Sequence, residues 1–259
     1  MNSVRHFLMA LQFFTRVPVY GRLGEWVGYS PALLRASAAH YPGVGALVGL
    51  IGAGVLVGAA SWWPHAVAAV LCTGATVWLT GAFHEDGLAD TIDGLGGSAD
   101  RERVLEIMRD SRIGAFGAIA LVLALALKIA LLAELSARGA SHAGAAVLAA
   151  HALSRFAPLL VMRRLPYVGG EGGKAKPLAD AVSGSGVGVA ALWCLPVVLL
   201  LVAVHGAGHA VAALLGAAAI TGWTVRWLRR RLGGFTGDAL GATQQLAELS
   251  IYLALVARP

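Results

Sequence analysis

Eight of the fourteen acidic residues in this chain fall between Glu85 and Asp110. The densest stretch, His84-Glu-Asp-Gly-Leu-Ala-Asp-Thr-Ile-Asp-Gly94, carries Asp86, Asp90 and Asp93. On a helix of 3.6 residues per turn these three lie at about 0°, 40° and −20° around the axis, so one face holds three carboxylates. Like charges this close repel, and a bound cation relieves them. Oxygen donors suit a hard ion such as Mg2+, which keeps part of its water and shares its shell with substrate phosphates. The spacing therefore points to a metal at Asp86, Asp90 and Asp93. A solvated acidic loop is the plainer alternative, and Gly87 and Gly94 each weaken a helix interior by about 1 kcal/mol.

The next stretch, Asp100 to Gly114, has Val104, Leu105 and Met108 at helical spacing with Glu102, Glu106 and Arg109 on the polar side, which predicts a short amphipathic helix at the membrane surface. Glu106 and Arg109 stand at a spacing that lets them pair. Asp110-Ser111-Arg112 follows, and an arginine there can grip a diphosphate through two parallel hydrogen bonds or anchor a lipid headgroup. Near the C terminus, Asp238 is placed either to cap the last helix or to join the site. Glu248 and Arg155 fall inside apolar segments, where an ionisable group is costly and marks a functional site by default; a pairing of the two across helices is one arrangement open to them. His84 lies opposite Asp86 on a regular helix and reads as structural.

These groups have to be carried by membrane helices. Of 259 residues, 58% are hydrophobic and 13% charged, about half the charge of an ordinary soluble domain. About seven apolar segments approach the roughly 20 residues that a spanning helix needs: 43–61, 67–83, 114–135, 142–162, 187–204, 209–227 and 240–256. The expected fold is all-α, a single integral membrane domain over residues 1–259. Sixteen of the twenty Lys and Arg residues fall on one side of that topology, with Arg138 and Arg258 on the other. The positive-inside rule then puts the N terminus and the acidic segment in the cytoplasm and the C terminus outside. The net charge of +6 is assigned to this orientation rather than to nucleic acid. Cys72 and Cys194 lack disulfide or zinc spacing, and residues 1–14 lack a cleavage site, so the first helix is expected to be retained. Gly45/Gly49 and Gly54/Gly58 predict close helix packing. Residues 168–188, with Lys174, Lys176 and Pro177, read as a cytoplasmic loop, an ordinary flexible connection or, as the sharper alternative, a phosphate cradle.

The segment Gly81 to Gly114 resembles the signature region of the cobalamin synthase family, the adenosylcobinamide-GDP ribazoletransferases. Phe13-Phe-Thr-Arg-Val-Pro-Val19, Tyr41-Pro-Gly-Val-Gly45, Ser154-Arg155 and Thr236-Gly-Asp-Ala-Leu-Gly-Ala242 extend the resemblance over essentially the whole chain. It implies a Mg2+-dependent transfer in a bacterial inner membrane, with the active site on the cytoplasmic side. The 5′-hydroxyl of α-ribazole, or of its 5′-phosphate, attacks the cobinamide-side phosphate of adenosylcobinamide-GDP and GMP leaves. Catalytic roles are expected for Asp86, Asp90, Asp93, Asp110 and Arg112, and substrate contacts for Arg109, Ser111, Arg155 and Asp238. The expected partners are these small molecules and membrane lipid; a homo-oligomer is compatible with the chain. Gln245 departs from the family pattern, where an acidic residue is expected. Two other readings fit less well. A CDP-alcohol phosphotransferase would carry D-G-x-x-A-R, absent here, and a cation transporter would place its carboxylates near the bilayer midplane.

Overall fold

The computed structural model describes residues 2–170, 176 and 182–257, so Lys174, Pro177 and Arg258 lie outside the described residues. Among those described the chain is all helical apart from one isolated bridge, Tyr167 with Phe235. Three short N-terminal helices, α1 (Asn2–Phe14), α2 (Gly21–Val27) and α3 (Pro31–Ser37), lead into α4 (Tyr41–Ala60). Then come α5 (His65–Thr80), α6 (Phe83–Gly97), α7 (Arg101–Ile107), α8 (Ala115–Ala137), α9 (Ala140–Ser154) and α10 (Ala157–Arg164). The last three are α11 (Gly184–His205), α12 (Ala207–Arg231) and α13 (Gly237–Val256).

Seven of these helices, α4, α5, α8, α9, α11, α12 and α13, run between the same two ends. One end is marked by contacts among helix tips: His65 with Ser136, His205 with the carbonyl of His142, and Arg138 with the carbonyls of Leu255 and Val256. The other end carries α6 and α7. The architecture is a polytopic membrane helix bundle. By length and apolarity five segments qualify as spans, and a sixth if the bent pair α5 and α6 is one span. The expected seventh, α13, traverses the bundle without meeting that test. Its interior holds Gln244, Gln245 and Glu248, all buried, because it is enclosed by protein rather than lipid.

Close approach of backbones builds the centre. A Cβ on Gly45 would overlap the His151 carbonyl and come 2.9 Å from the Ala152 Cα, and one on Gly49 would stand 2.8 Å from the Leu148 Cα. Only glycine lets α4 lie this near α9. Gly54 and Gly58, expected to do the same, face open space.

The second apolar segment does not continue into the acidic stretch as one helix. Gly81 (φ 66°) and Ala82 (φ 58°) both adopt left-handed backbone, and α6 leaves α5 at 88°. The three aspartates nevertheless share α6, so their common face survives the break. The amphipathic helix is α7, capped by Asp100, whose Oδ1 accepts from the Arg103 N–H at 2.9 Å, with Val104 and Leu105 buried.

Candidate active site

The turned helix α6 packs against the start of α13. A Cβ on Gly87 would sit 2.7 Å from the Asp238 carbonyl oxygen, and one on Gly241 would sit 3.3 Å from the His84 Cα. These two glycines let the helices touch and bring Asp238 beside the acidic face. Asp238 is not the cap of α13: Thr236 is, its Oγ1 accepting from the Ala239 N–H at 3.1 Å. Asp238 stands in the first turn instead, where the helix dipole favours a carboxylate. The charges of Asp86, Asp238 and Asp93 all act on Asp90, which is half-buried, while Asp86 is exposed. Neither Asp86 nor Asp90 has an ion-pair partner among the described residues.

Asp93 behaves differently from its neighbours. It is buried, and its carboxylate accepts the backbone N–H groups of Gly114 and Gly117, each at 2.7 Å. It thereby caps α8 from another helix, meeting donors that the first turn of α8 cannot satisfy internally. Any Cβ on Gly114 or Gly117 would run into that carboxylate. The expected trio of metal ligands is thus not assembled. Among the described residues no three His, Cys, Asp or Glu side chains are arranged to hold a metal ion by themselves. Asp86 and Asp90, with Asp238 across the helix contact, suit a Mg2+ ion held by one or two carboxylates and completed by water and substrate phosphate, not an all-protein cage.

The same capping bond tethers the loop before α8, so Asp110, Ser111 and Arg112 lie next to α6 in the chain's path. Arg112 forks onto Asp110, Nε to Oδ1 at 3.0 Å and Nη2 to Oδ2 at 2.6 Å, at an exposed position. Hydrogen bonds from Arg112 hold the Asp110 carboxyl down to about 2, so this pair is charged at every ordinary pH. Arg109 does not pair with Glu106, which binds Arg103 at 2.6 Å. Its guanidinium lies beside Gly170. Tyr167, pinned against the strand-like segment before α13 by the Val168 N–H to Phe235 carbonyl bond, feels both Arg109 and Asp238. Burial raises the Tyr167 pKa, Asp238 adds to the rise and Arg109 opposes it.

Below the site is a buried polar network. Glu248 pairs with Lys128 of α8 at 2.6 Å rather than with Arg155, and both partners are almost fully enclosed. Gln244 donates to Glu248 and to Ser154, each at 2.8 Å, and Gln245 donates to Glu85 at 3.0 Å. An acid at position 245 would face Glu85 as a second carboxylate, whereas the amide supplies the hydrogen bond that Glu85 accepts. Arg155 donates to the His151 carbonyl at 2.8 Å, and its side chain borders a small aromatic cavity of Phe13, Phe14, Tyr41 and Phe83. His84 stacks on Phe14 with ring centres 5.5 Å apart, as a structural histidine. Sequence reasoning missed Lys128 as the partner of Glu248. The signal was there, since Lys128 is the one formal charge deep in the third apolar segment.

The chain matches the family described as cobalamin-5-phosphate synthase over residues 6–256. A protein of Albidiferax ferrireducens named adenosylcobinamide-GDP ribazoletransferase is 53% identical over 97% of this chain and 97% of its own length. Relatives of the same name from Polaromonas naphthalenivorans and Shewanella amazonensis are 50% and 43% identical, over 98% and 96% of this chain and 98% and 94% of theirs. No solved structure matches. With nearly its whole length aligned and half its residues shared, the chain belongs to the cobalamin-5-phosphate synthase family.

Proposed function

We propose that this protein is an adenosylcobinamide-GDP ribazoletransferase working at the end of the bundle that carries α6 and α7. The observation that carries the reading is the convergence of Asp86, Asp90 and Asp238 at the contact of α6 with α13, in a chain of this family. In the transfer, the 5′-oxygen of α-ribazole, or of its 5′-phosphate, bonds to the cobinamide-side phosphorus. The bond from that phosphorus to the GMP oxygen breaks, GMP carries away the electron pair and the hydroxyl proton is released. A Mg2+ ion bound here supplies neutralisation of the diphosphate charge. Asp86 and Asp90 would hold it, with Asp238 facing them. Arg109, beside Tyr167, and Ser111 and Arg112, in the loop before α8, would supply hydrogen-bond donors for phosphate oxygens. Asp93 holds α6 and α8 in register, and Arg155 acts from beneath through packing and charge.

The uneven distribution of Lys and Arg supports placing this end in the cytoplasm of a bacterial inner membrane, where a nucleotide-activated substrate is available. The test is direct. Purified protein given adenosylcobinamide-GDP, α-ribazole and Mg2+ is expected to release GMP and form the joined corrinoid, and full turnover in excess chelator would remove the metal from the proposal. Absence of GMP under all conditions would remove the activity itself.

A further inference from the structure

A cleft separate from the acidic site opens between α11 and α12, floored by α10. Three adjoining cavities share Leu160. One, about 620 Å³, carries Arg164, Arg226, Arg229 and Arg230 in its lining. A neighbouring one adds Arg163 beside Gly184 and Val187. The third, about 380 Å³, is an open groove lined by apolar residues such as Leu195 and Val198 of α11 and Leu214 and Ala217 of α12, with Leu195 and Leu214 exposed. Among the described residues, no acidic side chain lines any of the three. None of the five arginines is ion-paired among the described residues. Two of them donate to backbone carbonyls, Arg163 to Val182 at 3.1 Å and Arg229 to Arg164 at 3.3 Å.

A basic mouth continuous with an apolar slot matches one kind of molecule, an amphiphile with an anionic head. The slot has the right depth. Leu214 and Arg226 are twelve residues apart on α12, about 18 Å at 1.5 Å per residue, close to the roughly 15 Å of one bilayer leaflet. Arginine rather than lysine is the residue whose planar fork grips phosphate oxygens in pairs. A soluble phosphate would use the mouth and have no need of the slot. We propose that this cleft binds an anionic phospholipid, its headgroup phosphate among Arg226, Arg229, Arg230 and Arg164 and one acyl chain between α11 and α12.

The proposal is tested by titrating the purified protein with phosphatidylglycerol and with phosphatidylcholine of identical chains and counting bound lipid by native mass spectrometry. Phosphatidylglycerol is expected to be retained several-fold better. Arg226→Gln and Arg230→Gln should each weaken it about fivefold, and Ala218→Trp, which fills the passage between mouth and slot, should weaken it as well. Arg22→Gln, the same charge change on exposed α2, should leave it unchanged. Equal retention of the two lipids would overturn the proposal. So would displacement by inorganic phosphate with Ala218→Trp indifferent, which marks a soluble-anion site, or a lipid-free dimer lost in Ala218→Trp, which marks a second copy of the chain as the occupant. Each readout is binding, so its failure is distinguishable from failure of the transferase reading.

Discussion

Asp90 and Asp93 lie three residues apart and answer to different physics. Asp90 faces other carboxylates with no ion-pair partner among the described residues, whereas both oxygens of Asp93 are occupied by backbone N–H groups. Asp86→Asn and Asp90→Asn are therefore expected to lower GMP release roughly a hundredfold at unchanged melting temperature and matched membrane abundance. Asp93→Asn keeps one acceptor oxygen but turns an amide N–H toward a backbone donor, so it should lower stability by about 1–3 kcal/mol along with activity. Asp100→Asn and Glu102→Gln should stay near wild type, because Asn caps a helix as well as Asp and Glu102 is solvated. Equal behaviour of all five in a melting and turnover comparison would reduce the acidic segment to a solvated loop. Arginines separate in the same way. Arg112→Lys loses the two-point fork seen on Asp110 and is expected to cut turnover several-fold, while Arg103→Lys can still pair with Glu106 and should change it less than twofold. Similar values for the two would make Arg112 a surface anchor.

At the scale of elements, helix contacts depend on where side chains are missing. Replacing glycine by alanine inside a helix ordinarily gains about 1 kcal/mol. At Gly74 of α5, which faces open space, Gly74→Ala should follow that rule. At Gly117 the added methyl would strike the Asp93 carboxylate and stand 2.8 Å from the Ala89 carbonyl oxygen, so Gly117→Ala should destabilise. Thermal melts in detergent read the two signs, and a stabilising Gly117→Ala would show that Asp93 does not hold α8. This is also where the sequence was least legible. The period of 3.6 placed Asp86, Asp90 and Asp93 on one face, and apolar length located the spanning helices. Periodicity along one helix carries no information about what a neighbouring helix offers, so the engagement of Asp93 with Gly114 and Gly117 was hidden. The break at Gly81 and Ala82 was hidden too, since a left-handed alanine is not signalled by its residue type. Thr236 was overlooked as a cap because Asp238, two residues on, is equally suited by type.

The whole molecule has two unlike ends, and their chemistry predicts orientation. Arg101, Arg164, Arg229 and Arg231 cluster where α6, α10 and α12 end, and Arg101 and Arg231 cap helix termini through the carbonyls of Leu232, Leu95 and Ser98. The opposite end shows Arg138 as its described arginine. Reporter fusions should place residue 100 in the cytoplasm and the C terminus outside; a periplasmic residue 100 would invert the assignment. Three helices also form a closed figure: α6 is fixed to α8 by Asp93, α8 to α13 by Lys128 with Glu248, and α13 to α6 by Gly87 against Asp238. A triangle, unlike a hinge, cannot change one angle without straining its other joints. The carboxylates at one corner are then held in place partly by an ion pair at another. Lys128→Met, far from any phosphate, should cost about 3–5 kcal/mol by stranding Glu248 and should depress turnover as well. The double variant Lys128→Met/Glu248→Leu should recover most of the stability, and a double variant no more stable than Lys128→Met would mean that this joint does not bear the strain.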